Sequence, residues 1–271
     1  MSWVLEVDSV AKRFGRRDVL HAASLRAAAG AVTFLVGRNG CGKTTLLRLA
    51  TGFLPLQSGY VRFDGVMHLQ PRLHRLARLG LLYLPDRDVL SNAFTVGAQV
   101  DLMWRQLGQA DGGMPWQAVA ETVGLRAFGG HRPNALSSGE RRRAEMALAL
   151  CRNPRCLLVD EPFRHLAPAD AAVVHQTLRT LAGRGCAVVV TGHEIPSLLE
   201  VADQVTWCTA GTTYALGSPV EARRHERFCC EYLGVAPRGP DGPAIAMGGA
   251  PSGNGPAEPR SSGGAPGAAR D

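Results

Sequence analysis

The chain has 271 residues, 45% of them hydrophobic and 20% charged, which is enough apolar material for one sizeable domain or a domain with a small subdomain. Its net charge of +7 permits nucleic acid, anionic lipid or nucleotide as a partner and does not choose among them. The seven cysteines are odd in number and include no C-x-x-C pair, so they indicate neither a disulfide framework nor a zinc site, and free thiols fit a reducing cytoplasm.

Strand-like and helix-like segments alternate along residues 1–235. Predicted strands cover residues 3–8, 31–36, 60–64, 81–84, 156–160 and 187–191. Predicted helices cover residues 44–53, 168–183, 219–233 and most of 95–151, with breaks at 111–113 and 129–135. The alternation predicts an α/β core with a mainly parallel sheet, interrupted by a helical subdomain at about residues 87–150.

Residues 236–271 have a different composition, with nine glycines and seven prolines. Such a segment cannot bury enough apolar surface to offset the ordering of its backbone, so we expect a disordered tail after a folded domain at residues 1–235. No internal repeat occurs in that domain, which argues against two tandem copies of one unit. No apolar run approaches the roughly 20 residues of a spanning helix, and the N-terminus lacks a signal-peptide pattern, so other chains would supply any membrane-spanning part.

A glycine-rich loop follows the strand at 31–36 and opens the first helix. It fits the pattern G-x-x-x-x-G-K-[ST] and consists of Gly37, Arg38, Asn39, Gly40, Cys41, Gly42, Lys43, Thr44 and Thr45. Its glycines allow successive backbone N–H groups to point at a β-phosphate, and the helix N-terminus adds a positive dipole. Lys43 would place charge on the β- and γ-phosphates, Thr44 would bind Mg²⁺ through its hydroxyl, and the positive field would lower the pKa of the Cys41 thiol. The alternative is an ordinary glycine turn that caps a helix, with Lys43 in solvent.

The apolar strand at 156–160 ends in two adjacent carboxylates, Asp160 and Glu161. A buried strand should not end in this way unless the carboxylates meet something cationic. Asp160 would hold a Mg²⁺ shell through water, and Glu161 would polarise the attacking water as a general base. A pair of acids that simply faces solvent is the alternative, and the phosphate loop in the same chain makes it the weaker one.

A short motif before this strand starts a helix with Ser137, Ser138, Gly139 and Glu140. Ser137 with Glu140 three residues on could be an ordinary helix N-cap. The order of phosphate loop, helical block, this motif and a strand ending in D-E-P resembles the nucleotide-binding domains of ABC transporters over residues 3–235. The runs S-G-E-R-R-R, D-E-P-F and Y-L-G are similar to those of the lipopolysaccharide-export and branched-chain amino acid import ATPases.

The resemblance implies a P-loop NTPase core with an antiparallel N-terminal β part. It implies an ATPase that uses ATP and Mg²⁺ to power transport through integral membrane permease subunits, as a peripheral protein on the cytoplasmic face of the membrane. ATP would lie between the phosphate loop of one cassette and the motif of residues 137–140 of a second ATP-binding subunit, identical or different. The motif could then act as a helix cap and as a γ-phosphate contact at once, and no nucleic acid partner is expected.

Three further roles follow from the resemblance alone. Phe14 would stack on adenine, although an aromatic at this position could equally be a core residue. His193, which follows the strand at 187–191, would contact the γ-phosphate and orient the attacking water. Asp86 takes the place of a glutamine that links Mg²⁺ and the water to the helical subdomain.

Three positions depart from the family pattern, since Asp86 replaces a glutamine, Ser138 a glycine and Ala167 an aspartate. The residues that the pattern retains are Lys43, Thr44, Asp160, Glu161 and His193. We therefore expect hydrolysis to be present, at a normal or a reduced rate. Two alternatives stay open: a soluble ABC ATPase that acts on nucleic acid or ribosomes, and a regulatory nucleotide-binding subunit without turnover.

Overall fold

The computed structural model describes residues 2–87, 89–192 and 201–235. The tail predicted at residues 236–271 and the predicted site residue His193 lie outside these ranges. Within them, the strands are β1 (Trp3–Phe14), β2 (Arg17–Ala28), β3 (Val32–Val36), β4 (Ser58–Phe63), β5 (Val66–His68), β6 (Leu81–Leu84), β7 (Cys156–Val159), β8 (Ala187–Gly192), β9 (Gln204–Thr209) and β10 (Thr212–Gly217). They form one sheet in the order β5-β4-β1-β2-β10-β9-β3-β8-β7-β6.

One half of the sheet is parallel. Strand β3 pairs in parallel with β8 and β9, and β7 pairs in parallel with β8 and β6. Strands β3, β7 and β8 are buried along their whole length, which explains why they read as continuous apolar runs. Because parallel strands end on the same edge, the segments after β3, β6 and β7 meet there, and open α/β sheets bind ligands at that edge.

The other half of the sheet is mainly antiparallel. Strand β1 pairs antiparallel with β2 and β4, and β4 pairs antiparallel with β5. This confirms the predicted fold class, an α/β core with an antiparallel N-terminal part. The sequence analysis missed β2, which contains four alanines and therefore little of the β-branched and aromatic content that marks a strand.

The helices are α1 (Lys43–Ala50), α2 (Leu73–Arg78), α3 (Val96–Met103), α4 (Trp116–Thr122), α5 (Ser138–Arg152), α6 (Pro168–Gly183), α7 (Pro219–Ala222) and α8 (Glu226–Phe228). Wider π-helical turns continue α3 through Trp104–Gly108 and α8 through Cys229–Leu233. The prediction of one helix over 219–233 is wrong, because α7 ends at Ala222 and α8 begins after His225. The His225 side chain caps α8 by accepting a hydrogen bond from the Phe228 N–H at 3.2 Å. No helix of the described residues is long and apolar enough to cross a membrane.

The parallel strands send alternate side chains into two cores. Val32, Phe34 and Val36 of β3 belong to the core that contains residues of α5 and α6. Leu35 points to the opposite face and belongs to the core that contains residues of α1 and β1. Packing on both faces thus fixes the edge of the sheet, and with it the positions of the loops that follow β3 and β7 relative to each other.

Candidate functional site

A cavity of about 660 Å³ opens at the carboxyl edge of the parallel strands. The predicted site residues that line it are Phe14, Asn39, Gly40, Gly42, Lys43, Thr44, Thr45, Asp86 and Glu161. These residues come from the end of β1, the loop between β3 and α1, the segment after β6 and the end of β7. The structure therefore gathers segments that are up to 147 residues apart, from Phe14 to Glu161, around one volume.

The loop between β3 and α1 curls because two glycines take left-handed backbone conformations. Gly40 has φ +79° and Gly42 has φ +114°. A Cβ at Gly42 would also lie 2.6 Å from Leu20 Cδ2, so the loop packs against β2 too closely for a side chain. Helix α1 begins directly after Gly42 and has no acidic residue in its first turn, so its positive N-terminal end is not compensated locally.

Lys43 is buried at the start of α1 and reaches both the loop and the acidic strand end. Its Nζ donates a hydrogen bond to the Gly37 carbonyl at 2.8 Å. The same Nζ lies 3.8 Å from Glu161 Oε1. The cation is thus held between the phosphate-type loop and a carboxylate, on the wall of the cavity.

Asp160 and Glu161 point in different directions, although they are adjacent. Glu161 has φ +49°, a conformation that is uncommon outside glycine, and its side chain lines the cavity. Asp160 is buried, and its Oδ1 accepts a hydrogen bond from Thr191 Oγ1 at 2.5 Å. The Glu161 N–H donates to the same Thr191 oxygen at 2.9 Å, so one hydroxyl at the end of β8 fixes both positions.

Burial, and after it the charge of Asp160, raises the pKa of Tyr83 on β6 to about 12. The phenol therefore stays protonated and adds no negative charge behind Asp160 at neutral pH.

Phe14 and Asp86 lie on two walls of the cavity. Phe14 ends β1 with 47% of its surface exposed, so it is not a core residue, and Lys12 Nζ lies 5.6 Å from its ring centroid. Asp86 follows β6 and is partly exposed. Its Oδ2 lies 3.7 Å from Nη1 of Arg164, which comes from the segment after Glu161.

Known proteins resemble this arrangement over most of the chain. The ABC transporter family model matches residues 20–164, more than half of the sequence. The lipopolysaccharide export system ATP-binding protein LptB of Acidithiobacillus ferridurans is 31% identical over 238 residues, which cover 86% of this chain and 98% of that protein. The hemin import ATP-binding protein HmuV of Rhizobium meliloti is 33% identical over 252 residues, which cover 86% of this chain and 95% of that protein.

The chain belongs to the ABC transporter family. The ADP conformation of MJ1267, an ATP-binding cassette of an ABC transporter, shares the fold with a TM-score of 0.73 and 21% identity over 86% of this chain and 98% of that one. The prediction of an ATP-binding transport ATPase is confirmed at the level of the family, whose ATP-binding subunits hydrolyse ATP. The 660 Å³ cavity contains most of the phosphate loop that the sequence pattern predicts.

Three residues of the phosphate loop of this ABC ATPase do not line the 660 Å³ cavity: Gly37, Arg38 and Cys41. The Arg38 Nη2 donates to the Glu231 carbonyl at 2.8 Å, behind the loop. Cys41 and Arg38 instead line a separate cavity of about 410 Å³ next to Tyr232. Side chains within one tight loop can leave it on either side, and the sequence pattern does not encode which side each takes.

The pKa of the Cys41 thiol is lowered to about 7, as the sequence analysis expected, but for a different main reason. The largest cause is a hydrogen bond from the Cys208 thiol, which favours the thiolate, while partial burial opposes it and the charge of Lys43 adds a smaller effect. The Cys208 sulfur also lies 3.3 Å from the Cys41 carbonyl oxygen. The field of the phosphate loop alone therefore does not account for the lowered pKa of this thiol.

The motif at residues 137–140 forms a complete helix cap. Ser137 Oγ accepts from the Glu140 N–H at 3.2 Å, and Glu140 Oε2 accepts from the Ser137 N–H at 2.8 Å. The hydrogen bond from the Ser137 N–H, and after it one from the Ser137 side chain, lowers the pKa of the Glu140 carboxyl. A Cβ at Gly139 would collide with the Asp170 carboxylate of α6, so the two helices approach closely here.

None of the residues 137–140 lines the 660 Å³ cavity with the phosphate loop. Ser138 lines a different cavity, of about 400 Å³, together with Arg141 and Arg142 of α5. Within the described residues, the two cavities share Asp86, Arg164 and His165.

Sequence reasoning missed five of the described residues at this site. Thr191 holds Asp160 and Glu161, but a single threonine in an apolar strand carries no signal of such a role. Arg17, Val19, Arg164 and His165 also line the 660 Å³ cavity. Arg164 and His165 come shortly after the strand of the carboxylates, and their polar side chains at that sheet edge could have drawn attention to them.

Proposed function

We propose that the chain binds ATP with Mg²⁺ in the 660 Å³ cavity and hydrolyses it to drive a substrate through separate integral membrane permease subunits. The observation that carries this proposal is the gathering of an exposed aromatic ring, a phosphate loop, a lysine and a carboxylate around one cavity. The chain acts as a peripheral subunit on the cytoplasmic face of the membrane. Its relatives named above serve lipopolysaccharide export and hemin import, so their names do not favour one cargo for this chain.

Binding combines three kinds of contact. The exposed ring of Phe14 stacks on the adenine base. The N–H groups of the loop and the N-terminus of α1 bind the phosphates, to which Lys43 adds a point charge. Because Lys43 Nζ already bonds the Gly37 carbonyl, the side chain is held close to the loop before any ligand arrives.

The residues at the sheet edge fit a magnesium ion. Asp160 Oδ2 is buried and has no hydrogen-bond partner among the described residues, which leaves a hard oxygen available. The described residues contain no group of three or more His, Cys, Asp and Glu side chains suited to a metal, and Mg²⁺ usually takes its remaining ligands from phosphates and water. Thr44, Asp160 and Asp86 would hold the ion, and the ion would neutralise phosphate charge.

Hydrolysis needs a water molecule activated next to the γ-phosphate. Glu161 accepts a proton from that water, since its carboxylate lines the cavity and its backbone is fixed by Thr191. Lys43, 3.8 Å from Glu161, stabilises negative charge that develops on the transferred phosphoryl group. His193 orients the water in this proposal, as expected from the sequence.

A second ATP-binding subunit completes the site. None of the residues 137–140 lines the cavity with the phosphate loop, and Ser138 lines the 400 Å³ cavity, so we assign the motif to a nucleotide held by another subunit. Ser137 and the N–H groups of Ser138 and Gly139 contact the γ-phosphate of that nucleotide. The partner is a second copy of this chain or a related cassette, and mixing differently tagged copies distinguishes the two.

The test is ATP binding by the purified chain and by Lys43→Ala, with Arg126→Ala as a matched control. Arg126 carries one charge in an exposed ion pair with Glu121 and is not among the residues of the ATP cavity. Lys43→Ala should weaken ATP binding at least about tenfold, since a hydrogen bond to a charged group contributes about 1.5–3 kcal/mol. Equal affinity in a folded Lys43→Ala protein would refute the phosphate-loop assignment.

A further inference from the structure

The segment after Glu161 brings the side chains of Arg164 and His165 to the ATP cavity, and neither has a role in the proposed hydrolysis. Arg164 and His165 line this cavity, and both also line the 400 Å³ cavity that contains Ser138. His165 has φ +56°, which bends the chain sharply at this point. Arg164 Nε donates to His165 Nε2 at 3.2 Å, so the two side chains are linked at the boundary between the cavities.

Asp86 stands opposite them and also lines both cavities. Its Oδ2 lies 3.7 Å from Arg164 Nη1, and the two side chains are 31% and 39% exposed. Arg87 Nε lies at the same distance from Asp86, but Arg87 is 70% exposed and is not among the residues that line the ATP cavity. Solvent screens the charge of Arg87 more strongly, so Arg164 interacts more strongly with the Asp86 carboxylate on the side of the ATP cavity.

A carboxylate at the position of Asp86 creates a specific problem. The cavity accepts an anionic triphosphate and already contains the carboxylate of Glu161. An unpaired carboxylate on a second wall would repel the phosphates, because charges a few ångströms apart interact strongly when water is partly excluded. A nearby cation removes this repulsion, and Arg164 provides one before any metal ion arrives.

We propose that Arg164 is a positioning residue of the ATP site that acts through Asp86. Its guanidinium cancels the charge of the Asp86 carboxylate and holds it at the boundary between the two cavities, so that the cavity accepts ATP. This inference rests on the proposed function, because it takes ATP as the ligand of the cavity.

The experiment compares ATP affinity, measured by isothermal titration calorimetry in EDTA, for the parent chain, Arg164→Ala, Asp86→Asn and the double variant. EDTA removes any metal contact of Asp86, so the titration reports only the charge effect. Arg164→Ala should weaken binding about fivefold, the upper end for a partly exposed ion pair. The double variant should return to within about twofold of the parent, since the carboxylate that required a partner is gone.

Arg126→Ala is the matched control, because it removes one positive charge from an exposed ion pair that is not on the cavity. It should bind ATP like the parent. The thermal midpoint of each variant separates lost binding from lost folding. A merely structural role of Arg164 would lower that midpoint and would not be relieved by Asp86→Asn.

Two outcomes would overturn the inference alone. An Arg164→Ala protein that binds ATP as the parent does would show that the pair is inert. A fivefold loss that persists in the double variant would show that Arg164 acts on the nucleotide directly and not through Asp86. If the parent chain binds no ATP in the presence of Mg²⁺, or if Lys43→Ala binds ATP as tightly as the parent chain, the proposed function is refuted, and this inference with it.

Discussion

The carboxyl edge of the parallel strands and the starts of helices α5 and α6 differ in how far they follow the sequence pattern described above. At the sheet edge, Lys43, Asp160 and Glu161 are present and are fixed by hydrogen bonds to Gly37 and Thr191. The start of α5 keeps a full capping box. The start of α6 has Ala167 at its N-cap and no side-chain cap, and this is the position where the resemblance implies an aspartate.

The difference separates residues that interact within one chain from residues that we propose to contact a second cassette. The groups at the sheet edge belong to one chain and share a partner, since Thr191 bonds both Asp160 and Glu161. Neither Ser137 nor Ala167 lines the 660 Å³ cavity, and our proposal places residues 137–140 against the nucleotide of a second cassette. Changes at the sheet edge should therefore act on turnover, and changes at the helix starts should act first on stability.

The largest expected effect tests the sheet edge. Glu161→Gln should lower the rate of phosphate release by roughly 100-fold or more, because it removes a general base, while the ATP affinity stays close to that of the parent. Steady-state phosphate release and equilibrium ATP binding measure the two quantities. Turnover that survives this change would place activation of the water on another group.

The start of α5 comes next in size. Ser137→Ala should lower the free energy of unfolding by about 1 kcal/mol, because it removes the side-chain cap of the helix. Urea denaturation measures the change. The control is Ser138→Ala, one residue on, whose hydroxyl does not cap the helix. Equal losses in both variants would contradict the role of the cap.

The start of α6 offers a gain in place of a loss. Ala167→Asp should raise the free energy of unfolding by about 0.5–1 kcal/mol, because an aspartate at the N-cap accepts a backbone N–H that now lacks a side-chain partner. Ala169→Asp in the first turn is the control, since it adds the same charge near the helix dipole without a cap. Urea denaturation that gives equal gains would assign the effect to charge alone.

The smallest effect concerns the back of the phosphate loop. The pKa of Cys41 at about 7 predicts that alkylation by iodoacetamide rises with pH and reaches half of its maximal rate near pH 7, since the thiolate is the nucleophile. Cys208→Ala should shift that midpoint upward, because it removes the hydrogen bond that favours the thiolate. Mass spectrometry separates Cys41 from the exposed Cys230. A midpoint that does not move would leave Lys43 as the main cause.

Sequence patterns predicted the parts of this molecule that depend on local order. Helix α6 was predicted at 168–183 and runs over Pro168–Gly183, because a proline at its start and a glycine at its end mark both limits. The phosphate loop was identifiable because its spacing is tied to a strand and a helix. By contrast, β2 has few strand-forming residues, and its pairing with β1 is decided by the tertiary fold.

Contacts between distant segments were beyond the reach of the sequence. The bond from Thr191 to Asp160 joins two parallel strands, and no spacing rule connects them. The proximity of Asp86 and Arg164 likewise depends on the neighbouring positions of β6 and β7 in the sheet. The direction of the Cys41 side chain depends on how the loop curls, which the motif does not specify.

The contact between the phosphate loop and the last turn of the described chain sets a limit on how the protein can be shortened. Arg38 bonds the Glu231 carbonyl, and Tyr232 stacks on Phe228 with ring centroids 5.4 Å apart. Phe228 in turn lies edge-on to Trp207 of β9. A truncation that ends after residue 235 keeps these contacts, whereas one that ends before residue 228 removes Phe228, Glu231 and Tyr232, which pack behind the loop. An expression design for crystallisation should therefore place its stop codon after Val235.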